Sequence, residues 1–580
     1  MEICFPKTKE KQNPVLQNFS DEVDEINRTN TGISELLAKL RRYQNKVLAD
    51  ETLMNELTYY IEPLTKLDTA NKYFGESIYC ELTFDVKKHL IYSEDKEIPK
   101  VLLLTGEAGV GKSLFCKNLQ MEMLSREFGS QDPDERLWLP IYVELPSLNN
   151  PKEEAAFEAL IRELSLTKDE VHLLLAPKRL RDPLLPSLLF IFDGFDGIEA
   201  LYHHQNHSLS HGGADDDLKE NFYMSNKFRD LCQDARLIIT CREENLQDIK
   251  RRDLLFAPID ENSSEKSTTP GSFLERKIAP FNDEQITCYL KKYCIFHETF
   301  VNKKRSEREE PPSLPADSTK SLSWQWVKEF EAMIDKYKLR ESARIPFILS
   351  TLTHVLPDIW NQERLSKPKS AKSLSPQLFI ELFVSKTIKS TVQNESTATF
   401  REGEAQLIEK KTRQAQILAL KANGYVLNAG VKYPVKTTND NERLISELNP
   451  LVKKYNNNFR YKFCHPLFLE FFVAKSIEEE IIRISTSSNP EKINPKELLL
   501  NQKLLTSKAS HYSIILFLRE SLQRGKLTSN QLVNLTLLSR PTDAKSQKEV
   551  EKSQEDACFT SQSPFAVAAA NAITILNTSG

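Results

Sequence analysis

The segment Gly106-Glu-Ala-Gly-Val-Gly-Lys112-Ser113 constrains the fold of this chain more than any other. It follows the apolar run VLLLT (101–105) and precedes SLFCKNLQMEML, a helical pattern, so it joins a buried strand to a helix start. Its glycines let the backbone curl until the N–H groups converge, at a helix N-terminus whose orphan amides and dipole favour anions. Such a loop is a phosphate cradle. The backbone of Gly106, Glu107, Ala108, Gly109, Val110 and Gly111 surrounds the phosphates, Lys112 reaches the β and γ oxygens, and the Ser113 hydroxyl ligates magnesium.

A cradle alone lacks a carboxylate on the metal side, which in this architecture stands at the end of a buried strand. The run SLLFIFDGFDG supplies Asp193, with Asp196 set to orient or deprotonate an attacking water. A further strand, ARLIITCREEN, ends in Arg242, where a cation can report the γ-phosphate. The apolar runs Val101 to Thr105, Ile141 to Leu145, Leu188 to Phe192 and Leu237 to Thr240 alternate with longer helical stretches. Uniformly apolar strands are covered on both faces, so the expected fold is α/β, a parallel sheet between helices.

At 580 residues the chain exceeds one ordinary domain. Its 28% charged content and net charge of −4 argue against a nucleic-acid or membrane surface built on bulk electrostatics. Nine cysteines without a C-x-x-C pair suggest neither a disulfide framework nor a zinc ribbon and fit a reducing, cytoplasmic location. The N-terminus has no apolar run of signal-peptide length, and no membrane span is expected. Before the sheet, Ile33, Leu36, Leu37 and Leu40, then Leu53, Leu57 and Tyr60, recur at helical spacing and predict a helical region of unassigned role. His203, His204, His207 and His211 crowd one polar stretch, which reads as a loop insertion rather than a metal site. Lys250-Arg251-Arg252 and Lys303-Lys304-Arg305 lack interleaved aromatics and read as solvated loops. Past residue 273 amphipathic helices dominate, interrupted by polar inserts at 307–321 and 366–377 and a linker-like stretch at 541–563.

Taken in order, WLPIYVELPSL, LLFIFDGFDGI and RLIITCREENL resemble the NACHT family of signal-transducing P-loop ATPases. The likeness runs through LERKIAPFNDEQITCYLKKY and SARIPFILSTLTHVLP to FRYKFCHPLFLEFFVAKSI. It implies a nucleotide-binding domain (96–272), a helical domain (273–365) and a winged-helix domain (366–480), while periodicity and composition outside it give a helical N-terminal region (1–95), a helical region (481–540) and a linker with terminal helix (541–580). It also implies that Pro346 packs near the adenine and that His465 touches the β-phosphate of bound ADP. Family members usually carry an acidic residue where this chain has Gly197, so slow hydrolysis is expected. The implied function is an ATP/ADP switch, with Mg2+, that opens on ligand sensing and self-associates. A cycling ATPase that remodels protein or nucleic acid, and a nucleotide-bound scaffold that never switches, are the alternatives. AVAAANAITILNTSG resembles the lead-in to sensor repeats and reads as pointing to a sensing region beyond Gly580, the alternative being a helix docked on the body.

Overall fold

The computed structural model describes residues 30–66, 79–91, 99–125, 138–175, 185–202, 221–231, 234–246, 252–260, 267–268, 272–307, 319–365, 376–395, 404–423, 425, 451–455, 460–463, 465–486, 498–502, 505, 509–537 and 566–578. They fall into two compact units, Met1–Lys328 with Arg344–Phe347, and Glu329–Ala343 with Ile348–Gly580.

The first unit opens with α1 (Asn30–Leu48), whose Ile33, Leu36 and Leu40 are buried, and α2 (Glu51–Leu57). Asp50 caps α2 by accepting from the N–H groups of Thr52 and Leu53 at 2.9 and 3.1 Å. The helical period stops at Leu57. Tyr60 belongs instead to the stretch leading to β1 (Leu64–Lys66), which pairs antiparallel with β2 (Tyr79–Glu81) before the short helix α3 (Leu82–Val86). The N-terminal region, expected to be helical, therefore contains a ribbon. Pro63 breaks the helical pattern, and the Thr65 hydroxyl donates to Lys277 O at 3.1 Å, stitching β1 to residues far along the chain.

The central sheet comprises β3 (Val101–Gly106), β4 (Trp138–Glu144), β5 (Ser187–Asp193), β6 (Arg236–Arg242) and β9 (Phe273–Lys277). Its order is β4-β5-β6-β3-β9 and every pairing is parallel. The connections carry α4 (Lys112–Leu124), α5 (Ala155–Leu164), α6 (Lys168–Leu175), α7 (Phe222–Ser225), α8 (Phe228–Leu231), α9 (Arg252–Phe256) and the ribbon β7 (Ile259–Asp260) and β8 (Ser267–Thr268). The four apolar runs read from the sequence are strands. The fifth, FLERK, carries three charged residues because an edge strand is only half buried, and it extends the sheet past the boundary expected at 272.

Alternate strand residues feed two cores. Val101, Leu103, Phe190, Phe192, Leu237 and Ile239 join one, together with Ile33, Leu36 and Leu40 of α1. Leu102, Leu104, Leu189, Ile191 and Ile238 join the other, with Phe115, Cys116 and Leu119 of α4 and Leu82 and Val86 of α3. The segments before the sheet are thus built into its cores.

Next come α10 (Asp283–Glu307), α11 (Thr319–Lys336), α12 (Arg340–Ala343) and α13 (Pro346–Leu365). Lys303, Lys304 and Arg305, read as a loop, lie within the final turns of α10, because the helical pattern runs through them before the prolines at 311 and 312. Arg252 opens α9 and pairs with Glu275, while Lys250 and Arg251 lie outside the described residues. So do the four clustered histidines, residues 308–318 and 366–375 of the polar inserts, and the linker-like stretch 541–563.

The second unit continues with α14 (Pro376–Glu395), α15 (Glu404–Ala422), the antiparallel pair β10 (Val452–Tyr455) and β11 (Arg460–Phe463), α16 (Pro466–Thr486), α17 (Leu499–Gln502), α18 (Ala509–Gln523), α19 (Ser529–Leu537) and α20 (Ala566–Thr578). α16 is its axis, packing on α14, α15, α18 and α19 through the fully buried Phe472, Val473, Ile477 and Ile481. α20 packs on α17, α18 and α19 and buries Ala568, Ala569, Ala572 and Ile575, so this helix docks on the second unit. Among the described residues no helix is long and apolar enough to cross a membrane.

Candidate functional site

β3 receives β6 on one side and β9 on the other, and the chain leaves it toward β4 but returns across it to β9. The carboxyl end of β3 is therefore a topological switch point, the crevice where open α/β sheets bind ligands. Gly106 ends β3 there, and a Cβ on it would stand 2.9 Å from Val110 Cγ1, so only glycine lets the loop fold back this closely. Gly111, at φ 105°, caps α4, and the first bond within that helix runs from Phe115 N–H to Gly111 O at 2.9 Å. The amides of the helix's first turn have no acceptor within the helix, an arrangement that favours an anion there. Lys112 Nζ donates to Gly106 O at 2.6 Å and Glu107 O at 2.9 Å, folding its ammonium against the loop, while Ser113 stands exposed in the first turn.

Asp193 ends β5 and is 7% exposed, and both of its carboxylate oxygens accept hydrogen bonds. Thr240 Oγ1 donates to Oδ1 at 2.5 Å, and Tyr142 Oη donates to Oδ2 at 2.8 Å. Gly194 N–H donates in turn to Thr240 Oγ1 at 2.9 Å. Burial first, and then the Asp193 charge, push the Tyr142 phenol well above its ordinary value, which keeps it a donor at neutral pH. Burial likewise drives the neighbouring Cys116 and Cys241 thiols upward and leaves them protonated and unreactive. Arg242, opposite Gly106 in the β3–β6 register, pairs with Asp196 through Nε to Oδ2 at 3.2 Å.

Gly197 follows in a short helical turn, and a Cβ there would lie 2.4 Å from Pro146 Cγ. The ring of Pro146 thus fills the space that a side chain at 197 needs. On the other flank, Phe347 N–H donates to Gly109 O at 3.2 Å, which sets Pro346, the first residue of α13, beside the loop. The same segment is anchored by Phe281 N–H donating to Arg344 O at 2.8 Å.

A family model of the NACHT domain matches residues 100–296. The chain carries a NACHT domain. A NACHT domain is a P-loop NTPase of the signal-transducing type and implies nucleotide binding. No curated protein matches the chain.

The residues present suit a magnesium nucleotide. A tight loop of amides and one lysine suits phosphates, and Ser113 and Asp193 offer hard oxygens of the kind Mg2+ selects. Among the described residues no group of three His, Cys, Asp or Glu gathers; Mg2+ in nucleotide sites is ordinarily held by one or two protein oxygens together with the phosphates. The structure brings together Gly106, Glu107, Ala108, Gly109, Val110, Gly111, Lys112 and Ser113 with Asp193, Asp196, Arg242 and Pro346 at one edge of the NACHT sheet. His465 lies in the second unit, between β11 and α16, 7% exposed, its Nδ1 accepting from Leu467 N–H at 3.2 Å. That bond puts the ring proton on Nε2 in the neutral form. Two residues of the NACHT site escaped sequence reading: Tyr142 and Thr240, the partners of Asp193. Their one signal was a hydroxyl inside an otherwise apolar strand.

Proposed function

We propose that this chain is an ATP/ADP-binding signalling switch with slow hydrolysis. The bond from Phe347 N–H to Gly109 O carries this reading, because it ties the first turn of α13 to the phosphate-binding loop itself. A change in the loop's backbone when the γ-phosphate arrives or leaves is then felt at the start of a twenty-residue helix. Within the site the loop amides and Lys112 hold the phosphates, Ser113 and Asp193 hold the cation, and Pro346 contacts the base. When bound, Mg2+ neutralises charge on the β and γ oxygens. Arg242, held by Asp196 at 3.2 Å, is poised to exchange that carboxylate for the γ-phosphate, which frees Asp196 to orient a water. With Pro146 occupying the space beside Gly197, no second carboxylate assists at that point, and turnover is slow.

Residues 273–365 and 366–480 serve as the helical and winged-helix modules, and His465 holds the resting, diphosphate form. This last assignment rests on the likeness of FRYKFCHPLFLEFFVAKSI to the family's motif. Ligand sensing, opening and self-association through NACHT domains complete the cycle in the cytoplasm.

Nucleotide content and turnover of the purified chain test this reading. The expected result is copurified ADP with slow hydrolysis, bound nucleotide reduced about 100-fold in Lys112→Ala, where charge-assisted bonds to phosphate are lost. ADP exchange is faster in His465→Ala. Rapid steady turnover indifferent to His465 overturns the switch and favours a cycling ATPase.

A further inference from the structure

We propose that Tyr142 is the positioning residue that sets the site's affinity for magnesium-bound nucleotide, acting through Asp193; this rests on the nucleotide reading above. Tyr142 lies on β4 beside Ile191 of β5, two residues short of the Glu144–Asp193 register pair, so its hydroxyl reaches diagonally along the sheet to Asp193 Oδ2 at 2.8 Å. Alternation along the strands puts Asp193 on the same face as Leu189 and Ile191, and Thr240 on the same face as Ile238. That face is covered by α4, which begins at Lys112.

Thr240 is itself held by Gly194 N–H and is fixed by its own strand, so it pins Oδ1. A carboxylate pinned at one oxygen still rotates about its terminal torsion, which is broad and nearly two-fold. The second hydroxyl removes that freedom. With Tyr142 in place, Asp193 presents its remaining lone pairs in one direction, and a cation's water or the cation itself meets them without reorganisation.

The phenol is also held from behind. Lys117 Nζ lies 5.9 Å from the ring centroid of Tyr142 and pairs with Glu56 Oε2 of α2 at 2.6 Å. The ring is therefore braced between the Asp193 carboxylate and a cation tethered to the N-terminal region. The polar contacts of this brace run to Asp193 and Glu56, so its effect falls on the metal side of the site.

The test is affinity for a fluorescent ADP or ATP analogue, measured in EDTA and across a Mg2+ titration, on the full chain and its Tyr142→Phe and Lys112→Ala variants. Tyr142→Phe is expected to bind nucleotide in EDTA as the native chain does and to lose about 10-fold of the magnesium-dependent gain. A gain unchanged in Tyr142→Phe, or a loss of equal size with and without Mg2+, overturns the inference while native binding abolished by Lys112→Ala leaves the nucleotide reading standing. A native chain that binds no nucleotide, or binds it without any magnesium-dependent gain, overturns both.

Discussion

Pro146 Cγ stands where a Cβ on Gly197 would be, only 2.4 Å from it, and this contact couples two loops at the site's edge. Overpacking of this kind costs about 1–3 kcal/mol. Gly197→Ala is expected to destabilise the chain by that amount in chemical denaturation, and Pro146→Ala, which removes Cγ, to relieve about 1 kcal/mol of it when the two are combined. Strictly additive effects would show that the two positions do not meet in solution. At this scale the sequence was legible wherever one segment carries the chemistry: Lys112 and Ser113 stand in a single run, and Asp193 and Arg242 each end an apolar strand. It was not legible for Tyr142 and Thr240, which are 51 and 47 residues from Asp193 and become its partners only because their strands flank β5. Nor could it show that Asp196 and Arg242 form an ion pair.

At the scale of elements, α20 is held by more than apolar packing. Asn571 is fully buried; its Oδ1 accepts from Leu505 N–H at 2.7 Å and its Nδ2 donates to Leu500 O at 2.7 Å. Asn501 Oδ1 accepts from Ala568 N–H at 3.1 Å and secures the start of the same helix. Truncating Asn571 strands a buried donor and a buried acceptor, at about 1–3 kcal/mol per group. Asn571→Ala is therefore expected to loosen α20 locally, read as hydrogen exchange or limited proteolysis at 566–578 that rises well before the rest of the chain opens. Protection equal to the native chain's would mean that the alanine face alone docks the helix. The same scale explains the one strand missed in the sheet. FLERK has no apolar alternation to detect, and its place comes from backbone pairing with β3 together with the side chains of Arg252 on Glu275 and Arg276 on Asp85, the latter at 2.6 Å.

At the scale of the whole molecule, two carboxylates, the half-buried Glu381 and the buried Glu480, make stability respond to pH in opposite senses. Burial alone would raise Glu381, but Lys526, at 2.5 Å, and Arg524 outweigh it and hold the carboxyl below its ordinary value of 4.5. A depressed carboxylate stabilises above the unfolded value, and its contribution is lost as pH falls through the folded one. Burial raises Glu480 above 4.5 despite the N–H groups of Leu499 and Leu500 that it accepts at 2.9 and 3.1 Å. Its protonated form is favoured by folding, so that contribution is present below the unfolded value and fades as pH rises through the folded one. Thermal melts from pH 7 down to pH 4 are expected to show a smaller acid-induced drop in Glu381→Gln than in the native chain and a larger one in Glu480→Gln. Parallel curves for all three would remove both groups from the account.

The sequence by itself determined the parallel α/β core, the phosphate loop and the strand ends that carry Asp193 and Arg242, because each is written in local periodicity or in one contiguous run. Only the tertiary structure decided the rest: the strand order that makes β3 the switch point, the two hydroxyls on Asp193, the proline that fills the space beside Gly197, the entry of α1 and α3 into the sheet's cores and the docking of α20. Those depend on which faces meet across tens or hundreds of residues. Such pairings are set by the complementarity of whole surfaces rather than by any segment's own preference.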